Sequence, residues 1–268
     1  MRLARSMRAP CLALLSPALA ASVLDCGALR VHQLQLGNMQ NYQYVLDNGE
    51  VAITVDAAWD IGKIRRYIEK MDLRLIGGLY THGHFDHIGG AFPGSSGPPV
   101  QGAAQLQDLP LYLGTNDIEA ATLQTKLDAS RWHPLKEGDT LPLLGDRVQI
   151  WVLDTPGHTL GGVTFWVQGD LEDACGEGLL LTGDTLFLTN VGRTDLPGGD
   201  MRTLERSLAR LSGAADRAQI LPGHSYDAPP KRQDLAVVRK TNAAMKAAVA
   251  RYSSGLSPLP WLRSKDEL

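Results

Sequence analysis

The sequence has no surplus of either charge: 26 Lys and Arg stand against 29 Asp and Glu, a formal net charge of −3. That balance leaves no electrostatic footprint for nucleic acid or an anionic membrane, and nucleic acid is excluded as a partner. Cysteine is scarce, with 3 in 268 residues. None of them lies in a context that marks a catalytic nucleophile. Long apolar runs are lacking as well. The apolar stretch over 9–21 is too short for a bilayer and is interrupted by Pro10 and Pro17, so membrane insertion is not expected. No internal repeat and no compositional break marks a linker. Yet 44% of the residues are hydrophobic, enough to bury a sizeable core.

The two ends read as addresses. The first 22 residues contain Arg2, Arg5 and Arg8 and no acid, then the apolar stretch and the small-residue sequence Ala18-Leu19-Ala20. This predicts a signal peptide over 1–22. An Arg-rich mitochondrial transit peptide and a plain N-terminal helix are the rival readings. The last four residues, Lys265-Asp266-Glu267-Leu268, are the KDEL signal for retrieval to the endoplasmic reticulum lumen. Together the ends predict a lumenal protein with the KDEL receptor as a partner, the mitochondrion being the alternative location. The expected domain runs over 23–252 and the tail over 253–268. Cys26 and Cys175 would remain after cleavage. An oxidising lumen allows them to pair, but sequence does not show whether their Cα atoms lie close enough. Two structurally minor thiols is the more ordinary reading.

What is present in abundance is metal-ligating chemistry. Residues 81–90 read Thr-His-Gly-His-Phe-Asp-His-Ile-Gly-Gly, with three imidazoles and a carboxylate from His82 to His87. Such crowding is readily rewarded only by a metal, because neutral imidazole and carboxylate ligate borderline and hard divalent cations.

Apolar patterning predicts strands over 29–36, 42–46 and 51–55, with the turn Asp47-Asn48-Gly49 joining the last two. Asp60 reads as the N-cap of an amphipathic helix over 61–71. A buried strand over 73–80 leads directly into the histidine cluster. Residues 91–111 read as loop around a short strand near Val100, and a helix is expected over 115–127. Further strands are expected over 140–144, 148–153, 163–167, 179–181 and 219–221, with an acidic surface connection over 169–178. Leu204, Leu208 and Leu211 mark a helix. Leu235, Val238, Met245 and Val249 mark a single terminal one. Two similar halves of strands and helices suggest two sheets faced by helices.

Three further ligand-type residues stand just beyond apolar strands, each preceded by glycine: His158 in Pro-Gly-His, Asp184 in Thr-Gly-Asp and His224 in Pro-Gly-His. Loops converging on one sheet edge would assemble them with His82, His84, Asp86 and His87. His32 and His133 lack this context and are expected to be structural.

The H-x-H-x-D-H element with His158, Asp184 and His224 resembles the metallo-β-lactamase superfamily over roughly residues 30–245. The resemblance implies an α/β fold, the αββα sandwich, with a dinuclear centre. His82, His84 and His158 would hold one ion; Asp86, His87 and His224 would hold the other; Asp184 would bridge them. Zinc is the default pair for this N/O set, with iron or manganese compatible. A hydroxide held between the ions is the expected nucleophile, with Asp86 also orienting it in a catalytic role.

The run from Gly183 through Gly192-Arg193-Thr194-Asp195, and the pair Asn41-Tyr42, resemble the glyoxalase II-like branch, which hydrolyses hydroxyacylglutathione thioesters. Asp184, where class B β-lactamases usually carry a cysteine, disfavours that branch. A thiolate leaves without a general acid, so a (thio)ester hydrolase is the expected enzyme. Arg193, Arg239 and Lys240 are the candidate contacts to a glutathione carboxylate. The alternatives are an iron-dependent persulfide dioxygenase, which Arg193-Thr194-Asp195 and Tyr226 also resemble, and a non-catalytic lumenal metal-binding protein.

Overall fold

The computed structural model describes residues 21–252 except 92, 93, 95 and 227–230. The KDEL tail and all but the last two residues of the expected signal peptide lie outside the described residues.

β1 (Ala21–Asp25), β2 (Arg30–Leu36), β3 (Asn41–Asp47) and β4 (Val51–Val55) form an antiparallel meander. The expected turn joins β3 to β4, where Asn48 Oδ1 accepts from the Glu50 and Val51 amides, both at 3.0 Å. An Asn side chain bonding forward to its own backbone is a common way of closing such a turn. α1 (Ile61–Lys70) buries Ile61, Ile64 and Ile68 and returns the chain so that β5 (Arg74–Tyr80) runs parallel to β4. The short α2 (Phe85–Ile88), then β6 (Leu111–Gly114), α3 (Ile118–Thr125) and β7 (Trp132–Leu135) complete a sheet of seven strands in sequence order.

β8 (Thr140–Leu141), β9 (Val148–Asp154), β10 (Val163–Gly169), β11 (Leu179–Gly183), β12 (Gln219–Pro222) and β13 (Gln233–Asp234) form the second sheet, ordered β13-β12-β11-β10-β9-β8. α4 (Met201–Leu211) connects β11 to its parallel neighbour β12, and α5 (Leu235–Thr241) and α6 (Ala243–Tyr252) follow.

Three apolar layers set the architecture. Between the sheets, Val31, Leu46, Ile53 and Leu79 meet Ile150, Phe165, Leu179 and Leu181. Outside the first sheet, Ile64 and Ile68 cover Val45, Tyr80 and Leu111. Outside the second, Leu204, Leu208 and Met245 cover Trp166, Leu180 and Ile220. Each sheet therefore hides both faces, which gives the expected αββα sandwich and accounts for the continuous burial of β3 and β11.

The structure departs from expectation at several elements. β1 begins at Ala21, pairing with Leu34, two residues before the expected start of the domain. β6, at the end of the expected 91–111 loop, and β7, in a stretch to which the sequence assigned no element, add strands that were not expected. Both are four residues long, too short for periodicity to register. Near Val100 there is a single bridge to Gly90 rather than a strand. Asp60 precedes α1 but does not cap it with its side chain; its carboxylate pairs with Lys63 Nζ at 2.9 Å instead. The single terminal helix is divided at Asn242, which has ψ 112. This buried amide donates to the Phe187 and Asn190 carbonyls at 3.1 and 2.9 Å and accepts from Met245 N at 3.0 Å. Its side chain thus caps α6 and fastens it beneath the 187–190 turn.

Cys26 and Cys175 are joined by a disulfide with Cα atoms 5.6 Å apart, closing a separation of 149 residues. Both are fully buried between the sheets, so they are not the structurally minor thiols of the more ordinary reading. His32 is structural as expected, its ring held by Asp47 at 2.6 Å and the Tyr67 hydroxyl at 2.9 Å. Removing the cross-link in a Cys26→Ser/Cys175→Ser variant is expected to lower the unfolding free energy by about 2–4 kcal/mol, because the long loop regains its entropy. Denaturant midpoints of the two proteins measure this, and coincident midpoints would contradict it.

Candidate metal centre

The backbone decides where the donors go. Parallel strands end on the same side of a sheet, and ligands collect in the crevice outside their carboxyl ends. β5 ends at Tyr80, immediately before the 81–87 segment, and β11 and β12 end just before Asp184 and His224. His158 arrives on the turn between β9 and β10. Backbone bonds of 2.8 Å sew the two sheets together at this edge, Val163 N to Thr81 O and Tyr42 N to Gly223 O, while Gly223 N to Gly183 O extends the β11–β12 pairing within the second sheet.

All seven expected ligands meet there. Donor atoms of His82, His84 and His158 lie within 4.8 Å of one another, and so do those of Asp86, His87 and His224. Asp184 faces both sets. Its Oδ2 is 3.6 Å from His158 Nε2 and 3.3 Å from His224 Nε2, and its Oδ1 is 3.4 Å from His87 Nε2. Asp184 thus lies between the two sets. Glycine is required beside it: a Cβ on Gly223 would come within 2.4 Å of Asp184 Oδ1, and one on Gly192 within 2.7 Å of His158 Nδ1.

The arrangement fits a pair of cations. His82 Nε2, His158 Nε2 and Asp184 Oδ1 are buried without a hydrogen-bond partner, a costly state for polar atoms unless something accepts their lone pairs. Five imidazoles and two carboxylates make a nitrogen–oxygen set suited to zinc, iron or manganese.

Electrostatics divides the centre in two. Burial, reinforced by the neighbouring His87 and His158 rings, holds His82 well below the ordinary histidine range. Burial and His158 push His84 down to about 4. These rings are neutral at pH 7, with lone pairs free to ligate. On the other side burial works against ionisation of Asp184, but His224 and His87 overcome it and bring that carboxyl down to about 2. His224, despite burial, is raised to about 10 by Asp184 and Asp86. Without an ion, protons on this side balance the two carboxylates. Metal uptake therefore displaces protons.

The far nitrogens of the rings are anchored, which fixes the faces presented to the centre. His158 Nδ1 lies 2.6 Å from Arg193 O, His224 Nδ1 2.9 Å from Met39 O, and His87 Nδ1 3.0 Å from Asp56 Oδ2. Asp56 also accepts from the Thr81 amide and hydroxyl, both at 2.7 Å. Its oxygens are bonded to Thr81 and His87, which makes it an anchor for ligands, although its donor atom also lies within 4.8 Å of those of His82 and His87. The sequence reading missed it, although it follows the apolar strand β4 as the three late ligands follow theirs. Asn41 Nδ2 donates to Asp86 Oδ2 at 3.0 Å and to Asp86 O at 3.1 Å, which gives the Asn41-Tyr42 pair a physical role.

The candidate substrate contacts fall elsewhere. The exposed Arg193 guanidinium is doubly bonded to Asp195 at 2.6 Å, and only its backbone carbonyl serves the centre. Arg239 is tied to Asp216 at 2.7 Å and to Ala214 O at 2.9 Å. Lys240 is exposed on α5. Tyr226 stacks on His224 with centroids 4.4 Å apart and meets the edge of Phe187 at 5.4 Å.

The family model described as the metallo-beta-lactamase superfamily matches residues 36–225. An uncharacterized protein of Mycobacterium leprae is 35% identical over 199 residues, covering 70% of this chain and 88% of the relative. The hydroxyacylglutathione hydrolase GloC of Haemophilus influenzae is 32% identical over 191 residues, covering 69% of this chain and 85% of that enzyme. Among solved structures, TTHA1623 in a di-iron-bound form superposes with a TM-score of 0.59 at 30% identity, covering 79% of this chain and 98% of the other.

Two substitutions separate the donors. His84→Ala is expected to reduce bound metal from about two ions per chain to about one, since each ion keeps its own ligand set. Asp184→Asn is expected to weaken both, because it removes the charge they share. Metal analysis of dialysed proteins reads both outcomes, and wild-type content in either variant would contradict the assignment.

Proposed function

The chain belongs to the metallo-β-lactamase superfamily, and on that premise we propose that it is a hydrolase of thioesters, with hydroxyacylglutathione-type thioesters as the first substrate class. The observation that carries the reading is Asp184 facing both donor sets at one sheet edge, in a chain similar to a GloC hydroxyacylglutathione hydrolase over most of that enzyme. When bound, divalent ions supply Lewis acidity for an acyl carbonyl and lower the pKa of a coordinated water.

The chain's own residues do the rest. His82 and His84 present neutral lone pairs, so no proton has to leave these two rings before they can ligate. Asp184 holds its charge toward both sets. Asn41 and the Trp59 indole, whose Nε1 donates to Asp86 O at 3.1 Å, fix the segment that carries Asp86. The Asp86 carboxyl is kept below the ordinary range: burial opposes ionisation, but His87, His224 and the Asn41 hydrogen bond outweigh it. An ionised Asp86 accepts a hydrogen bond and can orient an attacking water. A thiolate, with a pKa near 8.5, departs unaided, so the reaction makes no demand for a further acid.

Arg193 and Arg239 are already paired with Asp195 and Asp216, so recognition of the thiol carrier does not rest on free cations at those positions. The same proposal places the enzyme in the endoplasmic reticulum lumen, retrieved by the KDEL receptor; the Cys26–Cys175 disulfide supports an oxidising compartment.

Purified protein assayed with S-D-lactoylglutathione and simple aryl thioesters should release thiol, with loss of turnover on chelation and in His84→Ala. Oxygen uptake on glutathione persulfide, with one iron per chain and no thioester cleavage, would overturn this reading in favour of a persulfide dioxygenase.

A further inference from the structure

Asp117 is a buried carboxylate that the reading above leaves unused. It stands at the N-terminal end of α3, yet its side chain makes no capping bond to that helix. Its oxygens reach across instead. Oδ2 accepts from Gly83 N at 2.8 Å and from the Thr159 hydroxyl at 2.7 Å, and Oδ1 accepts from Gly161 N at 2.6 Å. Gly83 lies between His82 and His84, and Thr159 directly follows His158. One carboxylate therefore clamps the two loops that carry the three-imidazole set.

The backbone is shaped for this approach. A Cβ on Gly161 would lie 2.3 Å from Asp117 N, and one on Gly83 would lie 3.3 Å from Asp117 Cβ. At 3% exposure, Asp117 is satisfied by these three donors, which converge on it from both loops. Across the clamp, the His158 ring centroid sits 4.8 Å from His82 and 4.5 Å from His84. The other donor set is held by different groups, Asn41 on Asp86 and Asp56 on His87.

We propose that Asp117 is a positioning residue that sets the distance of His158 from His82 and His84, and thereby governs one of the two metal positions selectively. The inference rests on the dinuclear reading. An Asp→Asn change keeps the shape but replaces one accepting oxygen by an NH2 group, which must face either the Gly161 amide or the Gly83 amide and Thr159 hydroxyl. The clamp is lost on one side while the fold is retained.

The test is calorimetric titration of metal-stripped protein with zinc, alongside thermal unfolding of the metal-free forms. Wild type should bind two ions. Asp117→Asn should weaken one of them by about tenfold or more, the scale seen for outer partners of metal ligands, and leave the other within about twofold. Thr159→Val, which removes one of the three donors without a charge change, should weaken the same ion to a smaller degree and keeps the test available if Asp117→Asn does not fold. Site assignment comes from a double-mutant comparison. Asp117→Asn should have no further effect in a His84→Ala background, where its position is already lost, and its full effect in a His224→Ala background. Equal weakening of both ions, or a lower melting temperature with both affinities intact, would show a merely structural role and overturn the proposal. Wild-type protein that binds fewer than two ions would overturn the dinuclear reading itself, and this inference with it.

Discussion

Lone pairs crowded into a dry edge, with too few protons to satisfy them, are the condition around which this molecule is arranged. Five imidazoles and two carboxylates converge where Val163, Tyr42 and Gly223 stitch one sheet to the other. Water does not reach most of these atoms, and hydrogen bonds within the cluster leave His82, His158 and Asp184 with unpartnered atoms. Polar groups in that state destabilise a fold unless a cation takes the lone pairs. Stability and chemistry are therefore one problem here. The sandwich supplies a rigid frame on which the donors can be forced together, and the donors supply an affinity that returns stability when ions bind.

The frame is made rigid by layers of different origin. Apolar burial between the sheets fixes the strand ends, while buried polar contacts fix the loops beyond them. Asp56, Asn41 and Asp117 each reach from one segment to a ligand or a ligand-bearing loop of another, and each is buried. Fully satisfied networks of this kind hold geometry more strictly than apolar packing, because leaving one partner unmatched is costly. The two donor sets also differ in charge. His82 and His84 on the three-imidazole side are neutral, whereas the other side carries Asp86 with Asp184 facing it. Two ions in such a centre would occupy unlike environments.

The terminal segments show the same logic of side chains overriding local preference. The apolar spacing of Leu235, Val238, Met245 and Val249 fits one helix. The chain breaks it at Asn242, whose amide has stronger obligations to the carbonyls of the 187–190 turn. That turn runs on into Gly192 and Arg193, whose backbone holds Asp184 and His158. A helix boundary on the outer layer is thus linked through short contacts to the centre.

The sequence by itself determined which residues are the candidate ligands, the long strands that deliver them and an arrangement of two sheets faced by helices. The reason is that histidine density, glycine placement and apolar runs are local signals, and a metal site at strand ends is written locally. The long strands and α1 were legible on the same ground. The short strands β6 and β7 were not, since four residues hold no period. Only the tertiary structure decided which carboxylates serve the ligands and which surround them. Asp56 and Asp117 acquire their roles from partners 25 to 44 residues away, and Cys26 finds Cys175 across 149. Such pairings depend on how sheets stack, and the stacking is fixed by the summed burial of the core, which no single segment of the chain encodes.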